Sequence, residues 1–145
     1  FTIDRFGRKR LLIIGSFGMI FFLAMIARAF YLESFDGYSV MLYLIGFIAF
    51  FAYSQGAVIW VFISEIFPNH LRADGQAFGS STHWVLAAII PSLVPLLFST
   101  IGAGVVFLIF AVLMVFQLIW VAFMMPETKG ISLEELSQML TRGSK

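Results

Sequence analysis

Residues 60 to 78 read WVFISEIFPNHLRADGQAF and contain the boundary between two long apolar segments. Because proline cannot extend a helix, we expect the first segment to end at Pro68. A glutamate and an arginine flank this proline, as is typical of a point where a chain leaves lipid for water. Trp60 and Trp84 lie on either side of the boundary, some way inside the apolar segments. This arrangement indicates a ligand site inside a membrane bundle rather than a simple anchor.

The composition places the chain among integral membrane proteins. Of its 145 residues, 61% are hydrophobic and 12% are charged. Soluble domains average about 45–50% apolar and about 25% charged residues, so this chain has too few charges to cover a soluble surface. The chain has no cysteine, which excludes a disulfide framework, a thiol nucleophile and a thiolate metal site.

Four apolar segments follow one another, over residues 11–32, 40–67, 76–100 and 105–125. Each is longer than the roughly 20 residues that a helix needs to cross about 30 Å of hydrocarbon. Helices are favoured there because they satisfy their own backbone hydrogen bonds, which lipid cannot do. We therefore predict an all-α bundle of four transmembrane helices over residues 11–125. A basic loop, 1–10, precedes the bundle and a polar tail, 126–145, follows it.

The positive charges predict how the bundle is oriented. Eight of the nine Lys and Arg residues lie before the first segment, between the second and third, or after the fourth. Four crossings put these regions on one side of the membrane, and positive residues favour the cytoplasm. We therefore expect both termini of the chain to be cytoplasmic. The short loops contain no glycosylation acceptor, which favours a bacterial inner membrane.

The tail contains the pattern of a short amphipathic helix. Ser132 precedes Glu135 by three residues, which is the spacing of a helix N-cap and its capping-box partner. The helix that follows presents one apolar face, made of Leu133, Leu136 and Leu140. We expect it to lie along the cytoplasmic surface of the bundle or of the membrane.

Three motifs resemble the sugar porter family of the major facilitator superfamily. They are DRFGRK at 4–9, the segment 60–72, and PETKG at 126–130. Their order and spacing are similar to those of the C-terminal half of the family, which includes bacterial sugar:proton symporters. The resemblance implies that the helices are the ninth to twelfth of twelve and that the N-terminal part of the polypeptide is missing. It also implies alternating access, with two six-helix halves around a central sugar site.

The resemblance further implies a network of charges that gates the cytoplasmic side between the two halves. The pairs would form when that side is closed and break when it opens. Glu65 lies three residues before Pro68, at a depth where an unpaired carboxylate is costly, so a cationic partner is expected. The alternative is a set of ordinary interfacial charges that set the topology. The residues assigned to the network are Arg5, Arg8, Glu65, Arg72 and Glu127.

The candidate substrate site follows from depth along the helices. Trp60 lies about 10 Å and Trp84 about 12 Å from the same end of their segments, deeper than an interfacial aromatic belt. An indole offers a flat face to the C–H face of a sugar and an N–H to a hydroxyl. The family places sugar contacts at these tryptophans, at Gly56 and at His83. Gln55 lies beside Gly56 and is a candidate for a hydrogen bond to substrate or to another helix.

Two positions depart from the family pattern. Ala57 stands where the family often has proline, so the pattern does not assure a proline-induced break in the second segment. His83 stands where the family commonly has Asn or Gln. Neutral histidine can still bond sugar hydroxyls, and histidine can also titrate near physiological pH. The alternative for Trp60 and Trp84 is helix packing or lipid contact, and the alternatives for His83 are structural packing and a coupling role.

These observations predict a secondary active transporter rather than an enzyme. No catalytic motif, metal cluster or cofactor-binding motif is present, and nothing points to nucleic acid. The expected partners are a monosaccharide, a proton as coupling ion, the lipid bilayer, and the N-terminal half of the same polypeptide. The sequence does not separate a hexose from a pentose. The alternatives are a facilitator of a polyol or organic acid, and a non-transporting sugar sensor.

Overall fold

The computed structural model describes residues 7–33 and 37–127 and is all-helical over these ranges. The helices are α1 (Arg8–Tyr31), α2 (Gly37–Tyr53), α3 (Gln55–Ile66), α4 (Arg72–Ile101) and α5 (Ala103–Phe123). Because α2 and α3 follow each other in one span, the described residues contain four helical spans long and apolar enough to cross a membrane. The predicted fold class is thereby confirmed. Arg5 and the predicted amphipathic helix of the tail lie outside the described residues.

Helix α1 begins at Arg8, three residues before the predicted apolar segment. The residue before it, Gly7, has φ +89°, a backbone conformation that favours glycine. The carboxylate of Glu127 accepts hydrogen bonds from the backbone N–H groups of Arg8, at 2.9 Å, and Lys9, at 3.2 Å. It thereby satisfies two of the unpaired N–H groups of the first turn and places a negative charge at the positive end of the helix dipole. A carboxylate 119 residues away in sequence therefore caps the helix.

The second apolar segment, predicted over 40–67, is divided at Ser54 into α2 and α3, which together form one membrane-length span, Gly37–Ile66. Ser54 has φ −114° and ψ −86°, outside the helical range. Its Oγ donates to the carbonyl of Phe50 at 2.7 Å, and its N–H is shared between the carbonyls of Phe50 and Phe51, both at 3.2 Å. Side-chain bonds of this kind can bend a helix, but Ser16 makes the same bond to the carbonyl of Leu12 inside the unbroken α1, so the bond alone does not account for the break. Hydropathy does not reveal such a break, because the residues on both sides are equally apolar.

Helix α1 lies at the centre of the described bundle. A buried cluster joins it to α3 and to the end of α5, and contains Leu11, Leu12, Val58, Phe62, Val121 and Met125. Helix α2 contains no buried residue, and neither does the longer helix α4. Its long apolar surface is suited to lipid or to further helices, since bundles in lipid are held together mainly by packing.

Candidate functional site

The structure brings the five predicted substrate-site residues into one cleft of about 460 Å³. The cleft lies between the α2–α3 break and the middle of α4. Gln55 and Gly56 open the first turn of α3 and Trp60 follows one turn later, whereas His83 and Trp84 come from α4. Phe51 and Ile59 complete the lining. The sequence reasoning missed these two, because apolar residues in an apolar segment carry no signal of the face on which they lie.

Three aromatic rings form a continuous cluster on one wall of the cleft. The ring centroids of Trp60 and His83 are 5.0 Å apart with planes at 75°, and those of His83 and Trp84 are 5.5 Å apart at 80°. The two indoles are 6.5 Å apart and inclined at 31°. A sugar ring between two indoles would need roughly 3.5–4.0 Å of van der Waals separation on each side, which exceeds this distance. A ligand must therefore stack on the open faces of the cluster and not between its members.

The open faces are available in the described part of the chain. Trp84 is 66% exposed and Trp60 is 37% exposed. Burial of the aromatic bodies against each other leaves their outer faces free, and aromatic pairs prefer such offset or edge-on arrangements. The cluster is thus an aromatic platform that faces the cleft.

The polar side-chain groups of the cleft are those of Gln55, Trp60, His83 and Trp84, and no Asp, Glu, Lys or Arg is among its lining residues in the described chain. The Nε2 of Gln55 is buried and has no hydrogen-bond partner among the described residues. A buried amide donor without a partner is costly, and Gln55 is one of the residues that line the cleft. A Cβ added at Gly56 would lie 3.3 Å from the carbonyl oxygen of Phe51. Glycine therefore allows the first turn of α3 to pack closely against the end of α2.

A second cluster, of charged residues, lies at the far end of α3. Arg8 and Glu65 form a two-pronged ion pair, with Nε–Oε2 at 3.1 Å and Nη2–Oε1 at 2.6 Å. Their side chains are 10% and 26% exposed. Paired geometry of this kind is the strong form of the arginine–carboxylate interaction. Glu127 belongs to the same cluster, because its carboxylate accepts a hydrogen bond from the backbone N–H of Arg8. The cluster therefore connects the start of α1 to the end of α3 and to the residues after α5.

The structure does not bring every residue of the predicted network together. Arg72 opens α4, and its Nε and Nη2 are buried without a hydrogen-bond partner among residues 7–33 and 37–127. Buried guanidinium nitrogens require hydrogen-bond acceptors, because an uncompensated charge costs free energy. Arg5 lies outside the described residues. Over the same ranges no group of three His, Asp or Glu side chains is placed to hold a metal ion.

Comparisons with known proteins all point to the same family. A family profile described as "Sugar (and other) transporter" matches residues 1–140. The chain is similar to the arabinose-proton symporter of Bacillus subtilis, 39% identical over 137 residues, which cover 94% of the chain and 30% of that protein. It is also similar to the D-xylose-proton symporter of Escherichia coli, 33% identical over 144 residues, which cover 95% of the chain and 29% of that protein.

A search of solved structures leads to the same group of transporters. The inward-open structure of the E. coli xylose transporter superposes with a TM-score of 0.86 and 34% identity, over 95% of this chain and 31% of that one. The chain therefore spans about 30% of the length of the proteins that it matches.

Proposed function

The chain belongs to the sugar porter family of the major facilitator superfamily, and on that premise we propose that it forms part of a proton-coupled monosaccharide transporter that works by alternating access. The observation that carries the proposal is the single cleft shared by Gln55, Gly56, Trp60, His83 and Trp84. The remaining cavity wall would come from the N-terminal half of the same polypeptide.

The chemistry of the cleft supports a neutral, hydroxyl-rich ligand. The aromatic platform matches the C–H face of a pyranose, and Gln55 and His83 can bond hydroxyls as donors or acceptors. A charged substrate would call for an ion-pair partner, and the lining residues of the described chain supply none. A hexose or a pentose satisfies these requirements. The symporters of arabinose and xylose that resemble the chain support the same class and support coupling to protons.

The charged cluster supports a gate on the cytoplasmic side. In the proposed orientation both termini of the chain face the cytoplasm of a bacterial inner membrane, so Arg8, Glu65 and Glu127 lie at the cytoplasmic end of the bundle. The Arg8–Glu65 pair belongs to the state in which this end is closed, and breaks when it opens. Arg72 takes its acceptor from the N-terminal half in the closed state, and Arg5 joins the same network.

The proposal predicts saturable, protonophore-sensitive uptake of one sugar. The complete transporter would be expressed in transport-deficient cells and given labelled xylose, arabinose, glucose, galactose or fructose, with and without a protonophore. Cells with the empty vector are the control. Uptake that survives the protonophore would replace symport by uniport. A well-expressed, correctly inserted transporter that takes up none of these sugars would contradict the proposal, and polyols and organic acids would then be tested.

Replacing Gln55 by leucine is expected to affect binding and stability in opposite directions. Loss of one neutral hydrogen bond, about 0.5–1.5 kcal/mol, should weaken sugar binding about 2–10-fold. The sugar-free transporter should be as stable as before or more so, because a buried donor without a partner is removed. Binding of labelled sugar and thermal unfolding of the purified transporter measure the two effects. Gln117→Leu, on α5 away from the cleft, is the control. A loss of stability without a loss of affinity would show that Gln55 only packs.

A further inference from the structure

Helix α4 carries a row of polar side chains between its first residue and the cleft. Arg72, Gln76, Ser80 and His83 follow one another at intervals of four, four and three residues, which is the spacing of one helix face. His83 lines the cleft, whereas Gln76 and Ser80 do not, and the function proposed above gives these two no role. Polar side chains inside a membrane span are costly and are usually functional. Gln76 and Ser80, here called the inner polar pair, therefore require an explanation.

The contact between α3 and α4 fixes the direction of the inner polar pair. Gly75 and Gly79 face α3, because a Cβ added to either would meet an apolar side chain of α3 or of the residue that follows it. Gln76 and Ser80 each come directly after one of these glycines, so both are turned by about 100° from the contact, in the same direction. His83, four residues after Gly79, is turned the same way by about 40°. The pair therefore continues the cleft along one edge of α4.

Burial and depth agree with this placement. Gln76 and Ser80 are half-buried, whereas Ala77 and Ser81, the residues that follow them, are exposed. Ser80 lies about 4.5 Å and Gln76 about 10 Å along the helix from His83. In the proposed orientation this is the direction of the cytoplasm. The inner polar pair thus reaches from the edge of the cleft towards the charged end of the bundle.

The hydrogen-bonding groups of the pair differ from those of the other polar residues of α4. Four other hydroxyl groups of this helix donate to a carbonyl three or four residues back, and they belong to Thr82, Ser92, Ser99 and Thr100. No hydrogen bond joins the hydroxyl of Ser80 or the amide of Gln76 to another group among residues 7–33 and 37–127. Lipid offers no partner to such groups. Both are therefore available to a ligand that brings hydroxyl groups.

We propose that Gln76 and Ser80 form a second binding position for a neutral, hydroxyl-rich ligand, which a monosaccharide occupies between the cleft and the cytoplasm. The inference rests on the proposed function, since it assigns another position to the same ligand. An amide and a hydroxyl can each donate to and accept from sugar hydroxyl groups, and neither carries a charge that would favour an ion. The pair supplies no aromatic face, so this position binds the sugar more weakly than the cleft does.

The test places a cysteine beside the pair and asks whether sugar protects it. Ala73 is exposed and lies three residues before Gln76, on the cytoplasmic side. It is about 16 Å along the helix from Trp84, so a sugar in the cleft does not cover it. Ala73→Cys is introduced into the complete transporter, free of other cysteines, and inside-out membrane vesicles receive a membrane-impermeant thiol reagent. Xylose, arabinose, glucose, galactose and fructose are the protecting ligands. The sugar concentration that halves the labelling rate is measured for each.

Gln76→Leu combined with Ser80→Ala should raise this half-protecting concentration about tenfold, as expected for the loss of two neutral hydrogen bonds. Equilibrium binding of the same labelled sugar to the purified transporter reports mainly the tighter cleft, and should stay within about twofold. Trp84→Ala should have the opposite effects, since it weakens equilibrium binding and leaves the protection of Ala73→Cys unchanged. The two positions are thereby separated.

Ser81→Ala combined with Gln117→Leu is the matched control. It makes the same two chemical changes, but Ser81 is turned by about 100° from Ser80 and Gln117 belongs to α5. The half-protecting concentration should stay unchanged in this variant. If the double variant of the inner polar pair does not reach the membrane, Ser80→Ala alone serves, and should raise the concentration about threefold.

Protection that survives loss of the inner polar pair would overturn the second position, because sugar in the cleft would then act on Ala73→Cys through a change of conformation. A sugar that binds to the transporter without protecting Ala73→Cys would overturn it too, and would leave the pair as contacts to the N-terminal half. Either result leaves the proposed function standing. If no sugar binds to the well-folded transporter, the second position and the proposed function are both contradicted.

Discussion

Replacing Trp84 by alanine should weaken sugar binding about 30-fold while the transporter still folds. Trp84 is 66% exposed in the described chain, so its loss removes little packing within this bundle. It does remove a face of the aromatic platform. Loss of roughly 80 Å² of apolar contact, at about 25 cal/mol per Å², corresponds to about 2 kcal/mol and hence to about 30-fold in the dissociation constant. Equilibrium binding of the labelled sugar to the purified complete transporter measures the effect.

Trp120→Ala is the matched control for this prediction. Trp120 is 45% exposed on α5 and does not line the cleft, so the same chemical change there should leave sugar affinity within about twofold. Trp84→Phe keeps an aromatic face and should retain most of the affinity. Equal losses from Trp84→Ala and Trp120→Ala would indicate a general effect on the membrane bundle. No loss at Trp84 would move the substrate site away from the cleft.

Replacing Glu65 by glutamine should shift the transporter strongly towards the state that is open to the cytoplasm. Removing one partner of a buried ion pair costs about 3–5 kcal/mol. The two side chains are 10% and 26% exposed, so water partly solvates the charge that is left unpaired. The expected cost of breaking the pair is therefore about 2 kcal/mol. If the pair exists only in the cytoplasmically closed state, the ratio of the two states changes about 30-fold. In the complete transporter, free of other cysteines, Ile59→Cys lines the cleft. The rate at which a membrane-impermeant thiol reagent, added outside, labels this cysteine measures the fraction of transporter that is open outside and closed to the cytoplasm, and this labelling rate should fall accordingly.

Asp74→Asn is the control, because Asp74 is an exposed carboxylate in the first turn of α4 at the same end of the bundle. The labelling rate should not respond to it. Arg8→Lys keeps the charge but loses the two-pronged geometry, and should give a smaller shift in the same direction as Glu65→Gln. A labelling rate that Glu65→Gln leaves unchanged would mean that the pair holds the fold together without taking part in the gate.

The aromatic site shows how far sequence reasoning reached. Because a helix rises 1.5 Å per residue, the positions of Trp60 and Trp84 in their segments predicted similar depths, and the structure places their rings 6.5 Å apart. The lining residues Phe51 and Ile59 were missed, since apolar residues in an apolar segment carry no signal of which face they occupy. The unpartnered Nε2 of Gln55 could not be predicted either, because it depends on what surrounds the amide in space.

Hydropathy and helix geometry by themselves determined the all-α class, the four spans and the depth of the tryptophans, since these are local properties of a chain that must satisfy its backbone in lipid. The tertiary structure alone decided that the second span breaks at Ser54, where the chain packs into the room that Gly15, having no side chain, leaves on α1. It also decided that Arg8 pairs with Glu65 and that Glu127 caps α1. These contacts join residues 57 and 119 positions apart, and a local pattern holds no information about which distant groups packing brings together.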